Sequence, residues 1–541
     1  MSRDAGSPRP SARGCTGVGA PVAVGVKVPF VGRAALTKHP FASRPSAISC
    51  RMRMIDTLTS STPLREDRGP MLTRLEINGF KNLLDLAVDF GPFTCIAGEN
   101  GTGKSNVFDA IQFLSLLADQ SMMEAAQEVR GEHGERHGDP RDLFWKGYGP
   151  GDHRMRFAAE MIVPQDIEDD FGRAASPTTT FLRYELEIGY QQPSGLDRFG
   201  RLTLLHEELH HIKKGDARQH LQFPHSAASF RNTVLLGHRS GAPFISTTAE
   251  SGESIVKIHQ DGGSRGQPKP AAASRAPATV VSTITSSDDP TILAARREME
   301  SWRRLALEPS ALRSSARYVD PSVMGADGSH LPATLFRVAH AEPRTDPERI
   351  YARVAGRLSD LIGVHVRDLE VDQDEVRQLL TVNVLETAGL TLPARSLSEG
   401  TLRFLALCVL LEDPTVRGLI CMEEPENGIH PANLNAMVDL VQDLAVDARS
   451  APGADNPFRQ VLINTHSPGV LQLVLADDLL FADTVVRKVA GGPPSRALRL
   501  RPLAGTWRAG KADGAYVTKA DILPYLTAPA GAQLTLDGEI A

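Results

Sequence analysis

The chain has 541 residues, of which 41% are hydrophobic and 23% charged, a length that predicts more than one lobe, each with its own core. No apolar run is long enough to cross a bilayer, so the reading is of a chain with no membrane partner and no membrane domain of its own. The net charge of −6 gives no whole-chain argument for a polyanion partner, and any contact with DNA has to be local.

Residues 1–70 are rich in Arg, Ser, Pro and Gly, hold few acids and show no periodicity, which predicts a disordered extension. Their composition is also that of an organelle transit peptide, but they form no clean amphipathic helix, and a start codon assigned upstream of Met71 explains them as well. From Met71 the pattern changes. Leu84, Leu86, Val88 and Phe90 alternate with Asp85, Ala87 and Asp89 as a half-buried strand, with Leu72 to Ile77 as its hairpin partner. Phe93 to Ala97 reads as a short apolar strand running into a glycine-rich loop, and Val107, Ile111, Leu114 and Leu117 follow at helical spacing.

In the middle of the chain Leu182, Tyr184, Leu186 and Ile188 mark another strand. The Gly, Ser, Pro and Ala-rich residues 261–289 read as a long surface loop, and Ala294 to Leu307 as an Arg-studded helix. No heptad pattern is visible, which argues against long coiled-coil arms. After Leu397 a helix is predicted through Leu402, Leu405, Ala406 and Val409, then a strand from Gly418 to Met422. A second helix carries Leu434, Met437, Val438 and Val441, and a strand runs from Gln460 to Asn464. Strands alternating with helices predict an α/β fold with a largely parallel sheet. The five cysteines (Cys15, Cys50, Cys95, Cys408, Cys421) lack CxxC spacing, which fits a reducing, cytoplasmic setting and reads them as buried apolar side chains.

Four segments carry chemistry. Gly98-Glu99-Asn100-Gly101-Thr102-Gly103-Lys104-Ser105 satisfies Gly-x-x-x-x-Gly-Lys-Ser, in which glycines let backbone N–H groups approach phosphates. Lys104 is expected to reach the β and γ phosphates of ATP and Ser105 to give its hydroxyl to Mg²⁺, above a helix N-terminus. The apolar strand before Glu423-Glu424-Pro425-Glu426 delivers two carboxylates to its C-terminal edge. Glu423 is expected to hold Mg²⁺ and Glu424 to orient and polarise the attacking water. At the end of the next strand His466, within Asn464-Thr465-His466-Ser467-Pro468, is placed to contact the γ-phosphate, although Ser467-Pro468 alone is an ordinary helix start. Ser398, in Arg395-Ser396-Leu397-Ser398-Glu399-Gly400-Thr401, is a predicted N-cap, and Gly400 permits close backbone approach at that positively polarised helix start. The functional alternative is that this start faces the γ-phosphate of a second protomer.

In this order the motifs resemble the ABC-type ATPase heads of the SMC, RecF and OLD families, as do Leu75-Glu76-Ile77-Asn78-Gly79-Phe80-Lys81-Asn82 and Gly103-Lys104-Ser105-Asn106-Val107-Phe108-Asp109-Ala110. The likeness spans residues 71–510 and is greatest to uncharacterised bacterial RecF/OLD-like predicted AAA-family ATPases. It implies a P-loop NTPase head of ABC type with a mixed sheet, a β-rich lobe and a mixed α/β insertion. The expected division is an extension (1–70), the first part of the head (71–150), an inserted middle region (151–390), the second part of the head (391–510) and a tail (511–541). The resemblance further implies ATP and Mg²⁺ as ligands, with Asn106 beside the phosphate loop, and a homodimer formed on ATP binding. It also implies a setting in DNA repair or defence against foreign DNA, with DNA or an effector protein as partner. Two departures stand out: Glu423 where many relatives have Asp, and Ser-Glu-Gly in place of the Ser-Gly-Gly of transporters. Gln191 and Gln192 are the candidates for the glutamine that contacts metal and water in relatives. A fused Toprim nuclease is not expected, because about 75 residues follow His466, too few for a typical domain.

Two further patterns compete. His206-Glu207-Glu208-Leu209-His210 matches the zinc-protease pattern His-Glu-x-x-His. Lys213 and Asp216 stand where the extended form needs glycine and a third histidine, and Leu202, Leu204 and Leu205 equally predict a strand. Arg296, Arg297, Arg303, Arg304, Arg313 and Arg317 suit a phosphate backbone, but the interleaved Glu298, Glu300 and Glu308 favour a salt-bridged surface helix.

Overall fold

The computed structural model describes residues 69–527 apart from 130–138, 150–152, 194–199, 238–240, 251–252, 262–266, 274, 342–345, 363–365, 488–493 and 512–514. The extension expected over 1–70 and the end of the tail therefore lie almost wholly outside the described residues, as do Cys15 and Cys50. Strands β1 (Met71–Asn78) and β2 (Leu86–Asp89) form the predicted hairpin, with Leu75 opposite Val88. Strand β3 (Phe93–Gly98) is buried along its whole length and feeds helix α1 (Lys104–Leu117), whose Val107, Ile111, Leu114 and Leu117 are all buried.

Six strands of the middle region join the β1–β2 hairpin in one sheet: β4 (His153–Ile162), β5 (Phe181–Gln191), β6 (Arg201–His211), β7 (Ile245–Glu250), β8 (Glu253–Ile258) and β9 (Lys269–Ala273). They pair in the order β9-β8-β7-β6-β5-β4-β1-β2, so the opening hairpin and the middle region share one antiparallel eight-stranded sheet. Leu182, Tyr184, Leu186 and Ile188 alternate inward from β5, as the period-two pattern required.

Residues 261–289 are not simply a surface loop. Lys269–Ala273 is the edge strand β9, and Thr279, Val280 and Val281 are buried. Main-chain pairing holds the edge strand, while burial of Val280 and Val281 and their N–H bonds to the Glu207 carboxylate hold the rest, in a composition that conceals both. The helix expected over Ala294 to Leu307 also needs correction. Helix α2 is Pro290–Glu300, started by a proline in its first turn, and Arg303–Leu305 is a strand, β10. Three residues are too few to show a period, and β10 exists because it saturates the edge of a neighbouring strand.

Helix α3 (Glu399–Glu412), strand β11 (Gly418–Glu423), helix α4 (Leu434–Asp443) and strand β12 (Arg459–Thr465) follow as read from the sequence. Strands β13 (Leu479–Arg487) and β14 (Ser495–Pro502) and helix α5 (Lys519–Thr527) end the described chain. The second large sheet has the order β10-β11-β12-β3-β13-β14, parallel except for β14. A smaller antiparallel sheet is built on the hairpin of Val366–Asp374 and Leu379–Glu386. The fold is thus a P-loop α/β sheet with a β-rich lobe and a mixed insertion. Among the described residues the longest helix, Pro347–Ile362, has 16 residues, and no helix is long and apolar enough to cross a membrane.

Register positions the chemistry. Ala97 is level with Thr465, and Asn464 with Glu423, so β3, β12 and β11 end side by side. In a parallel sheet those C-terminal ends open onto one crevice.

Candidate nucleotide-binding site

The loop after β3 is shaped by backbone conformations that side chains resist. Gly103 has φ of 101°, and a Cβ there would lie 2.3 Å from the Asn82 amide. A Cβ on Gly98 would lie 2.2 Å from the Ala482 carbonyl oxygen on β13, so the strand can pack there only as glycine. The loop is braced from outside: Asn82 Nδ2 donates to the Thr102 carbonyl (2.9 Å) and Asn106 Nδ2 to Asn82 Oδ1 (2.7 Å). Thr102 Oγ1 closes the turn on the Glu99 carbonyl at 3.0 Å.

Lys104 opens α1, is buried, and donates from Nζ to the carbonyls of Gly98 (2.7 Å) and Glu99 (2.8 Å). Burial lowers its pKa, against the opposing pull of Glu424, Glu426, Glu423 and Glu99. The next residue, Ser105, donates from Oγ to Glu423 Oε2 at 2.8 Å and receives Asn464 Nδ2 at 3.4 Å. The other oxygen of Glu423, Oε1, is paired with Arg304 at 2.7 Å.

Glu424 has φ of 45°, a left-handed conformation uncommon for a side-chain-bearing residue. Its N–H is held by both the carbonyl (3.0 Å) and the side chain (3.1 Å) of Asn464. That turn aims the carboxylate between Asn427 Nδ2 (2.8 Å from Oε2) and His466 Nδ1 (2.7 Å from Oε1). Backbone strain fixed by neighbours in this way is a mark of functional positions. Beneath it the buried Glu426 accepts from Thr465 Oγ1, and burial raises its pKa. Tyr525 of α5 donates its hydroxyl to the His466 carbonyl and lies 3.5 Å from the Gly98 carbonyl oxygen.

The structure therefore brings Lys104, Ser105, Glu423, Glu424 and His466 to one crevice. Ser398 and Gly400 sit elsewhere. Ser398 Oγ caps α3 by accepting from the Thr401 N–H (3.2 Å), and a Cβ on Gly400 would meet the Gly428 carbonyl oxygen at 2.9 Å. This helix start packs on the segment just after the acidic pair. Gln191, at the far end of β5, accepts from Arg201 Nε at 2.8 Å and is exposed, as is Gln192. Sequence reasoning gave no role in this site to Asn82, Arg304, Glu426, Asn464 and Tyr525, although all but Tyr525 fall in segments or groups it named. Asn464 had a signal, as a polar residue one place before the end of an apolar strand. Arg304 had none, because its strand is too short to read.

The zinc pattern dissolves in the structure. Residues 206–210 lie within β6, where successive side chains face opposite ways. Glu207 points into the core and accepts from the N–H groups of Val280 (2.6 Å) and Val281 (2.9 Å) and from the Tyr184 hydroxyl (3.1 Å). Burial pushes its pKa up to about 7. His206 and His210 flank Glu208 on the other face at 3.6 and 3.7 Å. Among the described residues no group of three or more His, Cys, Asp and Glu could hold a metal ion. The arginines of α2 are likewise structural: Arg296 is buried against Asp119, Glu300 and the Ala118 carbonyl, and Arg297 pairs with Glu300 and Asp170.

A strand, a glycine-rich loop, a lysine at the helix start and a carboxylate from the end of a strand one place removed in the same sheet define a P-loop NTPase fold. Family models agree in two places: residues 74–131 match "AAA domain", and residues 331–472 match "AAA domain, putative AbiEii toxin, Type IV TA system". The chain is 31% identical to the chromosome partition protein Smc of Bordetella petrii over 112 residues (20% of this chain, 8% of that protein). To the Smc of Bacillus subtilis it is 36% identical over 103 residues, 18% of this chain and 7% of that one. The chain thus matches less than a tenth of the length of these relatives. Among solved structures, the SMC head domain from Thermotoga maritima is similar at 12% identity and a TM-score of 0.31, covering 80% of this chain and 98% of that one. A Pyrococcus furiosus Smc head with an extended coiled coil, bound to the C-terminal domain of ScpA, gives 12% identity and a TM-score of 0.38, with 80% and 96% covered. In residues 74–131 and 331–472 the chain is similar to AAA-family domains, and over about a fifth of its length to Smc proteins.

Proposed function

We propose that this chain binds ATP with Mg²⁺ and hydrolyses it, two copies closing on the nucleotides. The observation that carries this reading is the placing of Glu424. Its carboxylate is strained into position, hydrogen-bonded to His466, and one residue from the Glu423 that meets Ser105.

In this reading the N–H groups of residues 99–105 receive the phosphates. Lys104 Nζ exchanges the Gly98 and Glu99 carbonyls for β and γ phosphate oxygens. Ser105 Oγ and Glu423 Oε2, hard oxygens 2.8 Å apart, are a donor set that fits Mg²⁺. Held by these two residues, Mg²⁺ would supply neutralisation of the phosphate charge. Glu424 orients a water in line with the γ-phosphate and takes its proton, and His466 fixes the carboxylate and senses the γ-phosphate. The α3 start at Ser398 and Gly400 serves the partner copy's nucleotide. By family resemblance the work so driven is cytoplasmic DNA repair or defence against foreign DNA. A second reading, in which the ATPase controls a separate effector, is favoured by the toxin description of the model matching residues 331–472.

Glu424→Gln should abolish turnover while retaining ATP and trapping a dimer, read by sedimentation with and without ATP. A monomeric and fully active variant would refute the proposal. Turnover of the unaltered chain with and without double-stranded DNA, across a salt series, separates the two settings, since phosphate contacts weaken with salt. Stimulation absent at every salt concentration shifts the weight to a protein effector.

A further inference from the structure

We infer that Arg304 is a positioning residue that folds the long side chain of Glu423 back toward Ser105 and so sets the affinity for the metal that accompanies the nucleotide. The inference rests on the reading of Ser105 and Glu423 as the metal-holding pair.

Arg304 comes from β10, the edge strand that sequence periodicity does not reveal, and its Cα is level with Cys421 of β11. From there its guanidinium spans the gap to α1. One nitrogen pairs with Glu423 Oε1 at 2.7 Å, and another reaches Gln112 Oε1 at 3.3 Å and Asp109 Oδ1 at 3.7 Å. Asp109 has no exposed side-chain surface, and its second oxygen pairs with Lys81 Nζ at 2.7 Å. Lys81, Asp109, Arg304 and Glu423 thus alternate in sign along a line that ends at Ser105 Oγ, and their formal charges cancel. A planar guanidinium suits this bridging task because it presents several donors in fixed directions.

The departure at Glu423 gives the clamp its purpose. A glutamate carries one more rotatable bond than an aspartate, so its carboxylate must be restrained to face one point. Arg304 occupies Oε1, which leaves Oε2 facing Ser105. Partners that orient a metal-binding side chain in this way typically change metal affinity by about 10- to 100-fold when removed. An opposing effect exists, since a cation beside a metal site repels the metal. The two effects predict opposite signs. Here Asp109 already neutralises part of the charge, so orientation should dominate.

The test is binding of a fluorescent ATP analogue to the full chain, titrated with Mg²⁺, with thermal stability measured in parallel. For R304M the Mg²⁺ concentration at half-saturation should rise about tenfold or more, while binding without Mg²⁺ stays close to that of the unaltered chain. R304K should recover only part of the loss. In the E423D background, where the shorter arm needs no folding back, R304M should change the Mg²⁺ requirement less than twofold, a roughly additive-free pair of the kind a double-mutant cycle resolves. A normal or lowered Mg²⁺ requirement in R304M overturns the inference, and so does an equal effect in both backgrounds, which would mark Arg304 as merely structural. If the unaltered chain itself shows no Mg²⁺-dependent nucleotide binding, the failure belongs to the metal-pair reading and not to Arg304.

Discussion

Residues 98–105 and residues 206–210 both spell a chemical motif, and only the first has the backbone its chemistry needs. At Gly98 a strand stops, the chain turns through two glycines of positive φ, and a helix starts with Lys104 inside it. At His206 the strand carries on past a one-residue bulge at Leu205 without a turn, so alternation sends Glu207 into the core and both histidines to the opposite face. Residue types are therefore only half of a motif. The other half is whether the secondary structure makes those side chains converge.

The comparison breaks most visibly at Glu424. Glu424→Gln keeps the shape and the contacts of one oxygen but removes the base, and turnover should fall by about 10²- to 10⁴-fold with nucleotide binding retained. Rapid-quench measurement of phosphate release alongside equilibrium binding would check it. A smaller effect, on binding, is expected at Lys104. Lys104→Ala deletes a charge-assisted contact to the phosphates, and ATP affinity should fall by roughly 100-fold, measured by calorimetry. Unchanged affinity would mean that the loop is only a glycine-rich turn.

Most of the parallel sheet was legible because its strands are apolar runs that end in polar residues, and β3, β11 and β12 appear where Phe93, Gly418 and Gln460 announce them. The site could be read for the same reason: strand ends in an α/β sheet carry the chemistry. What escaped was held by main-chain pairing and not by side-chain pattern. Arg303–Leu305 is three residues long, and Lys269–Ala273 is an edge strand in a stretch rich in Pro and Ala, so neither offers a period to read. Tyr525 escaped for another reason, since nothing local to Lys519–Thr527 says that its hydroxyl will meet the carbonyl of a residue 59 positions earlier.

Glu207 gives the next smaller effect, and it appears in stability. Its carboxyl titrates near 7 in the folded chain against an ordinary value of 4.5, because burial disfavours the charge. Between those values the folded chain holds a proton that the unfolded chain has released. The stabilisation from this group is therefore complete below the unfolded value and is lost as pH rises through about 7. From about pH 5 to about pH 8 the loss should be on the order of 2 kcal/mol. Glu207→Gln should remove that slope, as seen in urea unfolding at a series of pH values. An unaltered slope would show that Glu207 is already ionised throughout, held by the Val280 and Val281 N–H groups.

The smallest effect belongs to the histidines, and it sharpens the contrast because a zinc site would make it large. Removing one partner of a structural zinc costs most of a binding free energy that is itself folding free energy. Here His206 and His210 are partly exposed neighbours of Glu208 on a strand face, 3.6 and 3.7 Å from its carboxylate. His206→Ala and His210→Ala should each change stability by less than about 0.5 kcal/mol, and a chelator should leave the melting temperature where it was. A drop of several degrees on chelation, lost in either variant, would mean that the strand register at Glu207 is not the one that sets the chemistry of this segment.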